Sequence, residues 1–357
     1  MVSKTIRVGT RDGTARCSLP YTTRGAMSAK MCDILSTRTR NLKVRNRGSI
    51  MRLFFIAPIL LLCGCATIQG SLFDMGLASE RLQSGLERHT IEIDERAIHY
   101  LERDGAGPQT QTLVLVHGFA GDKDHWLWFA RVLPPVYRVL ALDLPGHGDN
   151  VRDTSVTYSI TYLTHVLSDF IDEVDVGPVH VVGNSLGGRI AVEMALSWPD
   201  RIESVSLLDP AGIRSPEPSQ LDAALARGEN LLIPTTRTKY DKLILISFGK
   251  DAPDLPWPTA SVLSRRYSER APLYRKIWVD IGAEANTLET RLHQLAPPLL
   301  VVWGEQDGVI DVSAAGRWAD LVPEVQIEIM AGVGHAPMLE QPEETMRIVD
   351  NFIRRTR

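Results

Sequence analysis

Six short apolar runs recur between residues 112 and 330, with helix-length segments between several of them, and this alternation leaves the chain few architectures. The runs are Thr112–Val116, Tyr137–Leu142, Val179–Val182, Ser204–Leu208, Leu299–Trp303 and Val325–Met330, with Tyr162–Val174 and Gly188–Trp198 among the helical patterns between them. Short apolar runs of this kind are what strands buried on both sheet faces look like. Strands alternating with helices need crossover connections, so the sheet should be mostly parallel with helices on both faces. Ahead of these runs, Thr90–Asp94 alternates as a half-buried strand does. Ala97–Leu101 should pair with it through the polar turn Asp94-Glu95-Arg96.

One interval breaks the rhythm. From Arg214 to about His293 the only strand-like run is Leu243–Ser247, and seven prolines fall between Pro216 and Pro272. Short helical patterns such as Leu221–Arg227 lie there. We read residues 214–293 as a mainly helical cap inserted into the sheet domain, which as a whole covers residues 87–357.

In an open parallel sheet, ligands bind beyond the carboxyl ends of the strands. After Val179–Val182 comes Gly183-Asn184-Ser185-Leu186-Gly187-Gly188, a G-x-S-x-G between a strand and a helical pattern. That context suits a tight turn that lifts Ser185 into the site. Gly183 and Gly187 flank it because side chains there would clash where the chain folds back. The following helix aims its N-terminus at the serine and favours negative charge there.

A serine hydroxyl is a poor nucleophile and needs a base. After Val325–Met330 comes Gly334-His335-Ala336-Pro337, and after Leu299–Trp303 comes Gly304-Glu305-Gln306-Asp307. His335 is the candidate base and Asp307 the residue that orients it. Asp209, at the end of Ser204–Leu208, is a rival acid. After Thr112–Val116, the loop His117-Gly118-Phe119-Ala120-Gly121 can supply one oxyanion donor, the Phe119 N–H, with the Leu186 N–H as the other. Gly118 allows close approach and His117 should buttress the loop. Asp143 should brace the loop at its strand end, and His147 is a weaker alternative for the base. Trp126, Trp128 and Trp257 either line an apolar acyl pocket or are plain core.

The amino terminus carries different information. Residues 1–50 hold 11 Lys and Arg against 2 Asp and Glu, whereas the 357-residue chain is −4 overall, so residues 51–357 carry −13. That balance argues against nucleic acid as a partner. Met51-Arg52, the apolar Leu53–Leu62 and Leu62-Cys63-Gly64-Cys65 have the layout of a secretory signal peptide. The stretch is well short of the ~20 residues that span a bilayer. The last four residues resemble a bacterial lipobox, with Cys63 as a departure at −2. The resemblance implies lipidation of Cys65 and a cell-envelope location. Ala66 favours the outer membrane, with periplasm or secretion as alternatives. On this reading translation starts at Met51, residues 1–50 are a disordered segment or an extension outside the protein proper, and residues 66–86 are a linker leading into a helix. All four cysteines (Cys17, Cys32, Cys63, Cys65) lie at or before the lipobox. The remaining 292 residues therefore have no disulfide and no thiolate metal site. No phosphate-cradling or zinc-ligand spacing is present, and no cofactor is expected.

The motifs at residues 114–119, 143–148, 183–188, 303–307 and 334–337, in this order, resemble the α/β-hydrolase superfamily over roughly residues 88–355. The order Ser185, Asp307, His335 is that superfamily's. A narrower resemblance is to bacterial lipases of the Moraxella and Psychrobacter type. It is carried by His117-Gly118-Phe119-Ala120-Gly121-Asp122-Lys123-Asp124, Asn230-Leu231-Leu232-Ile233 and Val333-Gly334-His335-Ala336-Pro337-Met338. Leu186 stands where Met is usual, at a position that contributes only a backbone N–H. The resemblance implies an α/β-hydrolase fold with its cap before the strand that carries the acid. It also implies an exported or lipidated enzyme acting on ester or lipid substrates. Alternatives are a hydrolase of C–C bonds on the same fold, which the export signal speaks against, and a non-catalytic envelope lipoprotein.

Overall fold

The computed structural model describes residues 7–8, 66–174, 177–284 and 287–356. The segment expected to be a signal peptide, with Cys65, lies outside the described residues. A two-residue strand, β1 (Arg7–Val8), pairs with one edge of the sheet. The first helix, α1 (Ala66–Ser84), takes up nearly all of the segment expected to be a linker leading into a helix. Polar contacts hold it in place. Arg81 binds Asp124 through Nε–Oδ1 at 2.7 Å and Nη2–Oδ2 at 2.6 Å, and the Trp128 indole N–H donates to Glu80 at 3.0 Å.

Strands β2 (Glu87–Ile93) and β3 (Arg96–Arg103) form the expected hairpin. Its turn residues Asp94 and Glu95 both have positive φ, the conformation that two-residue hairpin turns require. There follow β4 (Gln111–Val116), α2 (Leu127–Val132), β5 (Tyr137–Leu142), α3 (Ile160–Glu173), β6 (Val179–Asn184), α4 (Leu186–Ser197) and β7 (Ile202–Leu208). Helices α5 (Gln220–Leu225), α6 (Arg237–Phe248) and α7 (Thr259–Gly282) lie between β7 and β8 (Leu299–Gly304). The chain ends with α8 (Ala314–Leu321), β9 (Gln326–Met330), α9 (Pro337–Glu340) and α10 (Pro342–Arg355).

The sheet order is β1-β9-β8-β7-β6-β4-β5-β3-β2, and every pairing is parallel except β2–β3 and β3–β5. This is the doubly wound, mostly parallel sheet read from the sequence. Two apolar clusters sandwich it. One gathers α3, α4 and α8 around Leu163, Phe170, Ile190 and Trp318. The other gathers α2 and α10 around Trp126, Phe129, Val349 and Phe352. Burial on both faces is why β4, β5 and β8 read as near-continuous apolar runs.

The insertion between β7 and β8 contains no strand among its described residues. Leu243–Ser247, the strand-like run, is the last turn and a half of α6. Tyr240, Leu243 and Ile246 face inward at helical spacing while Leu245 is exposed. Helix α7 crosses above the carboxyl ends of the strands. It is tied down by Arg270 donating to the Gly148 carbonyl at 2.8 Å and by Asp280 accepting from the Tyr158 N–H at 2.9 Å.

Candidate active site

Among the described residues five non-glycine ones have positive φ, and apart from the two in the hairpin turn all lie at carboxyl ends of adjacent strands: Ala120, Ser185 and Asp209. Backbone strain of this kind concentrates at functional sites. Ser185 sits between β6 and α4 with φ 54° and ψ −116°. Its N–H donates to the Leu208 carbonyl at 3.0 Å, and its own carbonyl accepts from Arg189 and Ala211. A Cβ at Gly183 would run into the carbonyl of Gly187, and one at Gly187 into the carbonyls of Val116 and His117. Both glycines are thus required by close backbone approach, as the sequence suggested. Leu186 is the first residue of α4, so its N–H is one of the first-turn donors that a helix cannot satisfy internally.

The loop after β4 lies against the serine. A Cβ at Gly118 would stand 3.1 Å from Ser185 Cβ. The Gly118 carbonyl accepts from His117 Nδ1 at 2.8 Å and from the Gly121 N–H at 3.1 Å. A planar trans peptide holds C=O and N–H in opposite directions. Clamping this carbonyl therefore fixes the Phe119 N–H on the other side of the peptide. His117 Nε2 in turn accepts from the Leu144 N–H at 3.0 Å, so its ring is a neutral Nδ1–H tautomer bridging two loops. Burial holds its pKa well below the ordinary histidine value. The buttress expected of His117 is the role the hydrogen bonds describe.

His335 and Asp307 meet directly: Nδ1 lies 2.7 Å from Asp307 Oδ2. Asp307 Oδ1 is held by the N–H groups of Val309 at 2.7 Å and Ile310 at 3.0 Å. The imidazole loop is fixed from three sides. The His335 N–H donates to the Ser247 carbonyl at 2.6 Å, at the end of α6. Its carbonyl accepts from the Asn184 amide at 3.0 Å, and Asn184 immediately precedes Ser185. Glu340 accepts from the Gly334 N–H at 2.8 Å and the Ala336 N–H at 3.1 Å. Asn184 and Glu340 were not singled out from the sequence. The only available signal was their proximity to Ser185 and His335.

Asp209 is also here, fully buried, with Oδ1 accepting from the Gly304 N–H at 2.8 Å. Ligand atoms of Asp209, Asp307 and His335 all lie within 4.8 Å of one another, the one such convergence among the described residues. The His335 nitrogen and three of the carboxylate oxygens face partners within the protein, so the group reads as an extended acid–imidazole cluster. Between the rival acids, the imidazole contact belongs to Asp307.

Asp143 braces its loop as expected, with a partner that was missed. It accepts from the Lys123 N–H at 2.8 Å, from Lys123 Nζ at 2.7 Å and from the Asp149 N–H at 2.8 Å. Lys123 and Asp143 are both buried. Removing one member of a buried pair leaves an uncompensated charge, so Lys123→Met is expected to cost about 3–5 kcal/mol. Urea unfolding would measure it, and a loss below about 1 kcal/mol would show that the pair is dispensable.

His147, the weaker alternative for the base, is buried among the loops around the site. Its Nδ1 lies 3.0 Å from the Pro145 carbonyl, its ring packs 5.3 Å from that of His117, and burial pushes its pKa down to about 4. The unfolded chain takes up this proton near pH 6.5 and the folded chain only near 4. The unfolded state thus binds more protons in that window, and stability falls as pH drops through it. We expect the urea midpoint to decline from pH 6.5 to 4 less steeply in His147→Gln than in wild type. Identical slopes would contradict the buried neutral imidazole.

The aromatic wall of the site differs from expectation. Trp126 is buried against Phe129 on the far side of the sheet, while Trp128 and Trp257 are largely exposed. The ring of Phe119 instead contacts Tyr274 at 5.7 Å and Trp278 at 5.6 Å, both on α7. These cap aromatics carried no motif of their own.

With this fold and site in view, residues 113–348 match the model of the alpha/beta hydrolase family, and the chain belongs to that family. Among its relatives is the monoacylglycerol lipase abhd6-B of Xenopus laevis, 31% identical over 269 residues that cover 71% of this chain and 78% of that one. Lipase 1 of Psychrobacter immobilis is 29% identical over 280 residues, covering 76% and 85%. This bears out the narrower resemblance. A solved membrane phospholipase A, described as a bacterial virulence factor, superposes with a TM-score of 0.76 at 33% identity, covering 86% of this chain and 99% of that one.

Proposed function

We propose that this protein cleaves carboxylic esters, lipid esters among them, through an acyl-enzyme on Ser185. The observation that carries the reading is the 2.7 Å contact between His335 Nδ1 and Asp307, on a loop stitched by Asn184 to the strained turn that presents Ser185. Ester hydrolysis is supported by the family and by its lipase members. Ser185 Oγ attacks the ester carbonyl as His335 takes its proton. Asp307 keeps Nδ1 protonated, leaving Nε2 free to accept, and stabilises the imidazolium. The N–H groups of Phe119 and Leu186 receive the oxyanion. His335 then protonates the leaving alcohol, and a water activated by the same imidazole releases the acid. Phe119, Tyr274 and Trp278 offer the apolar surface against which an acyl chain can pack.

Lipidation of Cys65 would tether the domain to the cell envelope just ahead of α1. No described helix is long and apolar enough to cross a membrane. Turnover of p-nitrophenyl esters from acetate to palmitate tests the reaction and assigns its chain length. Hydrolysis at one or more lengths is expected, and folded protein inert across the series would overturn the reading.

A further inference from the structure

Asp209 is the unused acid of this site. Its carboxyl is completely buried, and its backbone is held at φ 47° at the end of β7. Oδ1 has one donor, the Gly304 N–H at 2.8 Å. Oδ2 has none, and a carboxylate oxygen of Asp209 lies within 4.8 Å of one of Asp307. The charged groups around it come from each neighbouring loop: Asp307 after β8, and His335 with Glu340 after β9. Asp307 already has His335 Nδ1 against one oxygen and two backbone N–H groups on the other. A second carboxylate at this distance, with a single donor and no cation of its own, would be an uncompensated buried charge. A proton on Oδ2 removes that charge. It also supplies the donor missing between the two carboxyl groups. Burial and the Asp307 charge both act in this direction, holding the Asp209 proton well above the ordinary carboxylate range.

We propose that Asp209 is a positioning residue: a neutral carboxylic acid that donates its proton in a hydrogen bond to Asp307 and so sets the basicity of His335. The relay runs Asp209 O–H to Asp307 carboxylate to His335 imidazole. A hydrogen bond given to Asp307 withdraws part of its negative charge. The imidazolium is then less stabilised than it would be beside a fully charged Asp307. This inference rests on the serine-hydrolase reading for its kinetic consequence but not for the protonation state of Asp209.

Two substitutions separate a neutral acid from an ionised one. In Asp209→Asn the amide carbonyl keeps the Gly304 N–H and the NH2 group replaces the acid O–H, so the acid limb of the kcat/KM profile should stay at its wild-type pH. In Asp209→Ala the donor is lost and Asp307 regains its full charge, so the limb should move up by about one pH unit. Were Asp209 ionised, both variants would remove a negative charge beside the imidazole, and the limb would move down in both. That result overturns the proposal.

Infrared difference spectroscopy of wild type against Asp209→Asn at neutral pH reads the proton without turnover and without the alanine variant having to fold. A protonated carboxylic acid C=O band present in wild type and absent from the variant is expected. Its absence from wild type sinks the proposal by itself. If Ser185→Ala retains wild-type turnover, the hydrolytic reading fails instead, and the infrared band still decides the state of Asp209.

Discussion

Replacing Ser185 with alanine is expected to lower kcat for ester hydrolysis by about 10⁶-fold, the loss seen when a serine hydrolase's nucleophile is removed. KM should change little, because Ser185 contributes its hydroxyl to the reaction and not a large binding surface. The fold should be untouched. The turn around Ser185 is fixed by hydrogen bonds of its backbone to Leu208, Arg189 and Ala211. Steady-state kinetics with matching unfolding curves measure both. Residual activity within tenfold of wild type would mean that another group is the nucleophile.

The second large effect is expected at Asp307. Asp307→Asn keeps size and can keep one acceptor for the Val309 and Ile310 N–H groups. It cannot accept from His335 Nδ1–H and stabilise the imidazolium with a full charge. If the amide NH2 faces the ring, Nδ1 becomes the acceptor and the proton moves to Nε2, the atom that must accept from Ser185. A fall in kcat of about 10⁴-fold is expected from this wrong tautomer. A loss below tenfold would mean that the acid at His335 is elsewhere. Asp209 is then the residue to suspect, since its carboxyl lies in the same cluster.

The strands were legible because burial on both faces writes itself as apolar runs, and those runs located every loop of the site. The G-x-S-x-G turn was legible for a steric reason: Gly183 and Gly187 lie where backbone meets backbone. Helix α1 was not legible at its full length. Its docking uses Arg81, Glu80 and Asp74, while Ile68, Leu72, Met75 and Leu82 face outward. Apolar residues thus fall both on its outward face and, with Leu77, on the face that packs on the core, which blurs the periodicity. In α6, four consecutive apolar residues hid a helix whose buried positions are only Tyr240, Leu243 and Ile246. Tryptophan identity does not say which face of the sheet a residue serves, so Trp126 stood open between acyl pocket and core, and Trp278 was missed. Asp209 was weighed as a competitor to Asp307. Sequence order cannot show that two strand ends deliver both carboxyl groups to one cluster, with only Asp307 touching the imidazole.

The most direct test is to treat the folded protein with a fluorophosphonate, which phosphonylates only an activated serine, and to map the adduct by mass spectrometry. A single stoichiometric adduct on Ser185, strongly slowed in His335→Ala and Asp307→Asn, is the predicted result. An adduct on a different serine, or none while the protein remains folded, would contradict the catalytic assignment.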